Sequence, residues 1–418
     1  VDRRPAAIVL PKHARDVQHT VNTAREAGVP LAVRSGGHTI HCSVDGGVVL
    51  DLREMSALHV DAAAGTAWAE TGLTAAQYST AVGAHGMATG FGDTGSVGIG
   101  GITLGGGIGY LTRKYGLTID NLRAAEIVTA DGELRRIDAR TEPDLFWAIR
   151  GGGGNFGVAA RFQYQLQPVD RIVGGMLLLP ATAEVIERFI AAAEAAPDEL
   201  TAIANVMTAP PLPFLPVELH GTLVLMALMC YAGDPIEGAN CLATFKGLAT
   251  PLADFVKPMA YHEIFPPDDP SYHPTAVGRT MFIDHVDGSV ARTILQYLEA
   301  SDAPLRVAQI RVLGGAMARV PADATAFAHR DRRLLVNVAA FYTGEADRPA
   351  RQSWVDEFSS ALNQGYDGAY VNFLNNEGPA RVRAAFPGKT WDRLCAIKRH
   401  YDPQNFFRSN ENIDVSRR

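Results

Sequence analysis

The run Arg34-Ser35-Gly36-Gly37-His38 follows a short apolar stretch that reads as a strand. It therefore falls at a strand's C-terminal end, the usual ligand side of an α/β sheet. Consecutive glycines leave backbone N–H groups uncovered, a nest that can cradle a pyrophosphate. No Gly-Lys-Ser/Thr follows, so this is not a Walker A loop, and it is not GxGxxG. A tight turn with a surface histidine is the alternative. Ten of the 41 glycines lie in residues 90–109, where Asp93, Thr94, Ser96 and Thr103 supply polar groups. Interleaved Val97, Ile99, Ile102, Leu104 and Ile108 make the run too ordered for a linker. An extended chain threading past an anionic cofactor fits it, and a buried glycine-rich turn between helices is the alternative. A third run, GGGGNFGV at residues 151–158, leads into a strand. Three such loops in one region argue for a large, extended cofactor with phosphates.

The elements that must position these loops are legible as periodicity. Residues 6–10 read as a strand, 15–27 as a helix with Val17, Val21 and Ala24 at helical spacing, and 31–33 as a second strand. Gly28 is placed as the helix C-cap. Residues 48–52 and 67–70 look like strands and 73–82 like a helix. Asp131-Gly132 divides residues 125–138 into a hairpin. Residues 143–150 form a short helix with Pro143 at its start, and 158–167 alternate like a strand. From about 171 to 378 the glycine clusters vanish. A helix at 184–195 mixes with strands at 224–231, 307–313 and 334–342. Gln309 and Arg311 share one face of their strand, and Asn337 is polar within an apolar run, so each faces either solvent or a substrate. Pro210, Pro211, Pro213 and Pro216, and then Pro266, Pro267, Pro270 and Pro274, mark loops that are candidate rims of a pocket. Residues 391–400 are helical, with Leu394, Ile397 and Lys398 along them, and an Asn-rich tail follows that is expected to pack back on the first domain.

Composition sets the outer limits. The chain has 418 residues, 47% apolar and 20% charged, with a net charge of −7. This is a folded protein of two or three domains and not a nucleic-acid binder. No stretch reaches the roughly 18 apolar residues of a membrane span; residues 222–232 come nearest. Cys42, Cys230, Cys241 and Cys395 are scattered without a CxxC pair, so neither a disulfide framework nor a metal site is expected. That usage points to a reducing, cytoplasmic compartment. The chain opens on Val1 without a methionine, so a removed leader stays open.

RSGGH, GxGGxxxGGGxG, RGGGGNFGV, YVNF, YDPQNFF and a terminal NENI occur in this order. The chain thereby resembles the FAD-dependent oxidases of the vanillyl-alcohol oxidase superfamily, in the berberine-bridge-enzyme-like branch. It is most similar there to the bacterial 6-hydroxy-D-nicotine oxidase-like members. The resemblance is specific over residues 31–166 and 370–413 and loose between them. It implies an α+β fold: a two-part FAD-binding domain, residues 1–172 and 379–418, with an inserted substrate domain, residues 173–378. That insert would carry an antiparallel sheet covered by helices on one side.

The resemblance also implies roles. His38 matches the histidine that bonds to the flavin 8α-methyl group, and a neutral imidazole is a competent nucleophile for that. Thr94 stands where many relatives have a second, cysteine link, so a single covalent bond through His38 is expected; His41 is a competing site of attachment. Arg34, Ser35, Gly36 and Gly37 would hold the pyrophosphate, with Thr39 beside them. Ser96, Gly100, Gly101, Thr103 and Gly107 would line the flavin and ribityl chain. Asn121, Gly152, Gly157 and Val158 would border the adenosine side, and Asn410 and Asn412 would close over the flavin. Tyr370 opens the YxN motif and would help deprotonate the substrate, although its phenol needs cations or hydrogen bonds to act as a base. Phe373 stands where relatives often carry a second tyrosine. The lysine and glutamates of the nicotine-oxidase members are absent from residues 307–313, so nicotine is not the expected substrate.

The expected activity is removal of a proton and a hydride from a small alcohol, amine or natural-product intermediate, with Gln309, Arg311 and Asn337 facing that substrate. Molecular oxygen would reoxidise the flavin and yield hydrogen peroxide. A flavin dehydrogenase using another acceptor and a non-catalytic binding protein are the rival readings; a homodimer is left open.

Overall fold

Val17, Thr20, Val21 and Ala24 are the buried residues of the helix Ala14–Glu26. Its start is set by the Asp16 carboxylate, which accepts the Lys12 and His13 N–H groups. In the computed structural model, which describes residues 2–211, 213–266 and 274–415, this helix packs on a three-stranded parallel sheet. The strand order is Ala7–Val9, Val48–Asp51, Leu31–Arg34, so residues 34–38 leave the sheet at a C-terminal strand end as expected. An antiparallel sheet follows, ordered Leu58–Asp61, Thr66–Glu70, Val158–Gln165, Leu122–Val128, Leu134–Asp138. The hairpin at Asp131-Gly132 joins its last two strands.

The second region is an eight-stranded antiparallel sheet. Its path runs Ala253–Asp254, Arg171–Pro180, Leu223–Tyr231, Leu200–Thr208, Arg306–Val312, Leu334–Tyr342, Thr275–Ile283, with Lys257–Ala260 also pairing Arg171–Pro180. Helices Ala183–Ala195, Pro235–Lys246, Gly288–Ala300 and Arg348–Leu362 bury apolar side chains against one face. Period-two alternation divides the strands cleanly. Ala308, Ile310, Val312, Leu334, Val336, Val338 and Ala340 enter the helix-covered core. Gln309, Arg311, Asn337, Ala339 and Phe341 point the other way, into a cavity. In register, Asn205 lies opposite Gln309 and Gln309 opposite Asn337.

One expectation is overturned. Residues 90–109 are not extended throughout: Ile99–Leu104 is a helix. Its two inner glycines each cost about 1 kcal/mol of helix propensity relative to alanine. Burial of Ile99 and Thr103 and the bond from the Gly100 N–H to Ser35 Oγ (3.3 Å) hold it in place. The tail does pack back, since Ile413 and Val415 lie in the core of the first region. Ala369, Val371 and Leu374 already belong to that core, so the chain re-enters it at about residue 369. Pro210, Pro211, Pro213 and Pro216 lie in the non-strand connection before Leu223–Tyr231, and Pro266 and Pro274 also lie outside helix and strand; Pro267 and Pro270 lie outside the described residues.

Candidate active site

A cavity of about 710 Å³ opens between the glycine loops and the uncovered face of the large sheet. That lies within the size range of cofactor and ligand sites, about 300–1,000 Å³. Ser35, Gly36, Gly37, His38 and Thr39 line it from the first loop. Thr94, Gly98, Gly100 and Gly101 line it from the second, and Gly153, Gly154, Gly157 and Val158 from the third. Gly36 and Gly98 pack backbone to backbone, where a Cβ on either would overlap the other strand of chain. Around Gly101, by contrast, a Cβ would meet nothing within 4 Å and would project into open space. Bare backbone facing a roomy cleft is the cradle that an anionic dinucleotide requires.

The tail closes one side. Asn410 donates to the Gly154 carbonyl (3.0 Å) and the Phe407 carbonyl (3.1 Å), while its Oδ1 is buried without a partner among the described residues. That orphaned acceptor fits a bound group that donates to it. Asn412, also expected here, is not among the residues that line the cavity. Lys398 anchors the tail from beneath. Its ammonium is fully buried and donates to the Asn155 carbonyl, Asp402 Oδ2 and the Phe407 carbonyl at 2.7, 2.7 and 2.9 Å. Burial pushes the lysine pKa down, and the Asp402 carboxylate opposes that shift. The spacing of Lys398 with Leu394 and Ile397 was the available signal for this buried role.

His38, which lines the cavity, has its Nε2 3.1 Å from the Oγ of Ser96, which does not line it. His41, which also lines the cavity, is engaged by Glu411 Oε1 at 3.0 Å. Thr94 and Cys42 stand in the same cavity. Several expected residues are not among the lining. Arg34 has its guanidinium 3.7 Å from Asp51 Oδ2, beside Gly37. Thr103 is fully buried with its hydroxyl 2.8 Å from the Tyr164 hydroxyl. Asn121 donates to the Tyr115 and Leu117 carbonyls and accepts from Gln167, an internal brace. Gly152 is wedged against the Ala148 carbonyl and Leu394, where no side chain fits.

Gly107 acts on another residue. Its N–H donates to the Tyr370 hydroxyl oxygen at 3.0 Å, joined by the Ile108 N–H at 3.3 Å and Asn372 Nδ2 at 2.9 Å. Tyr370 is buried but lines the cavity. Burial pushes its phenol pKa up, and the Asn372, Gly107 and Ile108 donors and the Arg311 charge offset that rise only in part. Three donors converging on one phenol oxygen is an arrangement suited to a phenolate. Asn372 carried no assignment in the sequence reading, although it is the third residue of YVNF.

Gln309, Arg311 and Asn337 all line the cavity opposite the loops. Arg311 Nη2 contacts Asp93 Oδ2 at 2.8 Å, and its Nε and Nη2 donate to Gln309 Oε1 at 3.1 and 2.8 Å. Gln309 Nε2 in turn donates to Asn205 Oδ1 at 2.8 Å. Asp93 and Asn205 were not among the expected site residues. Their roles depend on contacts 218 and 104 residues away.

An α+β frame with three bare glycine loops, an orphaned amide oxygen on the tail and a polar sheet face fits a protein that binds an anionic dinucleotide. The FAD binding domain family matches residues 5–138, and the berberine and berberine like family matches residues 369–414. An uncharacterized FAD-linked oxidoreductase of Bacillus subtilis is 30% identical, covering 100% of this chain and 94% of its own. The (R)-6-hydroxynicotine oxidase of Paenarthrobacter nicotinovorans is 28% identical over 99% of this chain and 92% of its own. The crystal structure of 6-hydroxy-D-nicotine oxidase from Arthrobacter nicotinovorans superposes with a TM-score of 0.86 at 26% identity, covering 99% of this chain and 92% of that one. The chain belongs to the berberine-bridge-enzyme-like FAD-linked oxidoreductases of the vanillyl-alcohol oxidase superfamily and is an FAD-dependent oxidoreductase. No helix among the described residues is long and apolar enough to cross a membrane.

Proposed function

We propose that the protein is an oxidase that takes a hydride from a carbon bearing a hydroxyl or amino group and a proton from that group. The observation that carries this reading is the Tyr370 oxygen, held by three N–H donors inside the cavity. FAD, when bound, supplies the two-electron acceptor and, in an oxidase, hands both electrons to dioxygen, which leaves with two protons as hydrogen peroxide. Ser35, Gly36, Gly37, Gly100, Gly101, Gly154 and Asn410 would hold it, chiefly through backbone groups. Tyr370 Oη takes the substrate's O–H or N–H proton, and Gly107, Ile108 and Asn372 stabilise the phenolate that exists before the transfer. Gln309, Arg311 and Asn337 orient the substrate carbon toward the loop side of the cavity. Packing of the tail through Asn410 and Glu411 keeps water from the reacting atoms.

A single covalent link through His38 is part of this proposal. Ser96 accepts from or donates to its Nε2, which orients the ring and leaves Nδ1 without a hydrogen-bond partner among the described residues. Thr94 offers a hydroxyl, a far weaker nucleophile than a thiolate, and His41 is tied to Glu411. The experiment is acid precipitation of the yellow protein, followed by mass analysis of the flavin-bearing peptide. Flavin held in the pellet on the segment with His38, and released to the supernatant in His38→Ala, is the expected result. Flavin on the segment with Cys42 or His41 and not His38, or flavin lost from wild type, overturns the link. Reaction of the substrate-reduced enzyme with oxygenated buffer tests the oxidase: slow reoxidation without peroxide makes it a dehydrogenase.

A further inference from the structure

An oxidisable alcohol and an oxidisable amine differ in the charge they bring to the cavity. We propose that the substrate enters as a neutral molecule that presents an uncharged hydrogen-bonding oxygen to Asn337, and not as an ammonium or a carboxylate. This rests on the assignment of the cavity as an oxidoreductase site.

The charges lining the cavity carry the argument. Among the described residues, Asp93 and Glu411 are the carboxylates that line it. Both are committed. Asp93 is paired with the Arg311 guanidinium at 2.8 Å, and Glu411 accepts from the Asn376 N–H while engaging His41. A substrate ammonium would therefore meet no free counter-charge and would face the Arg311 cation. Desolvating an unpaired cation is strongly unfavourable. A carboxylate fares little better, because Asp93 already neutralises Arg311 and would repel a second anion.

Neutral hydrogen-bonding capacity is what remains open. Asn337 lines the cavity and its amide makes no hydrogen bond to any described residue. Gly278 lies on the neighbouring strand beside it, and a Cβ there would come within 3.6 Å of Asn337 Oδ1, so the glycine leaves that amide uncovered. Arg311 is almost fully buried, with Nε and Nη2 satisfied and Nη1 inaccessible from the cavity and without a partner among the described residues. A buried N–H of a charged group calls for an acceptor. Ala276, Val277, Ala339, Phe341, Phe373 and Leu374 supply the apolar remainder. The matching ligand has an apolar body and one or more uncharged oxygens. A side cavity of about 10 Å³, shared by Arg311 and Thr201, is large enough for about one water, which would serve as the acceptor for Nη1 and leaves Asn337 to meet the substrate.

The test uses three probes of similar size on the purified holoenzyme: benzamide, benzoate and benzylammonium. Isothermal titration calorimetry gives the affinities, and flavin difference spectra report proximity to the cofactor. Benzamide should bind about tenfold tighter than either charged probe, a difference that calorimetry resolves readily. Asn337→Leu should remove most of that preference. Asp93→Asn should release the Arg311 charge and raise benzoate affinity about tenfold. Circular dichroism verifies folding of each variant, and Asn337→Leu decides the matter alone if Asp93→Asn does not fold. Tightest binding of benzylammonium or benzoate by wild type, benzamide affinity unchanged in Asn337→Leu, or no binding of any probe overturns the proposal. Flavin content separates the two levels. A preparation that binds no flavin fails the oxidoreductase reading, whereas a flavin-bearing enzyme with a different ranking fails only the substrate class.

Discussion

Tyr370 has an oxygen whose polar neighbours all donate. Gly107 and Ile108 offer backbone N–H groups and Asn372 an amide, so a phenolate formed there would be solvated by the fold. Tyr370→Phe should lower kcat by about 10²–10⁴, the usual weight of a positioned general base, with the flavin spectrum unchanged. Asn372→Leu is the finer probe. Removing one donor from a phenol whose pKa burial already raises pushes that pKa further up. Because the deprotonated form is the active one, the rising limb of kcat/KM against pH should move to higher pH in Asn372→Leu. A limb that stays in place would assign the base to another group. Tyr370 was legible from YVNF, but its donors were not, since two of them are backbone groups more than 260 residues away.

Glycine has opposite uses in the second glycine-rich loop. At Gly98 the backbone lies against Gly36, and added bulk must push two loops apart. Gly98→Ala should cost about 1–3 kcal/mol of stability, as overpacking does, and lower the flavin content with it. At Gly101 a Cβ enters open cavity and the residue is helical, so Gly101→Ala should leave stability unchanged or raise it by about 0.5–1 kcal/mol while still lowering flavin content. Thermal unfolding and the ratio of flavin to protein absorbance check the pair. Equal effects of the two variants would refute this division of labour. Elements with a clear period were read well: the helix at 15–27, the hairpin at Asp131-Gly132 and the strand Leu334–Tyr342. Ile99–Leu104 was misread because Gly100 and Gly101 have low helix propensity, and the contacts that stabilise the helix are tertiary. Leu200–Thr208 was not read as a strand: buried at eight of nine positions, it shows no alternation.

The two regions are joined by groups that no local pattern announces. His329 is one: it stacks near Phe282 of the large sheet and bonds to the Tyr366 hydroxyl (2.8 Å) and the Ala385 carbonyl (3.0 Å). The Tyr366 O–H donates to Nδ1 and Nε2–H donates to the carbonyl, so the ring is held neutral. Burial lowers its pKa from 6.5 to about 4. The unfolded chain therefore binds the proton first. This contribution to stability is complete above pH 6.5 and is lost as pH falls toward 4, on the order of 3 kcal/mol in total. Urea midpoints of wild type and His329→Gln should converge over that window; a constant gap would refute the assignment. The sequence alone was sufficient for the flavin frame, because glycine loops, caps and strand alternation are set by residues close in the chain. It placed Gln309, Arg311 and Asn337 on strand faces, because a strand's two-residue period is local. Which face met the cavity, the neutralisation of Arg311 by Asp93 and the burial of Lys398 beneath the tail were decided only by tertiary structure. Charge pairing and desolvation depend on groups brought together across 200 or more residues, and spacing along the chain does not encode those distances.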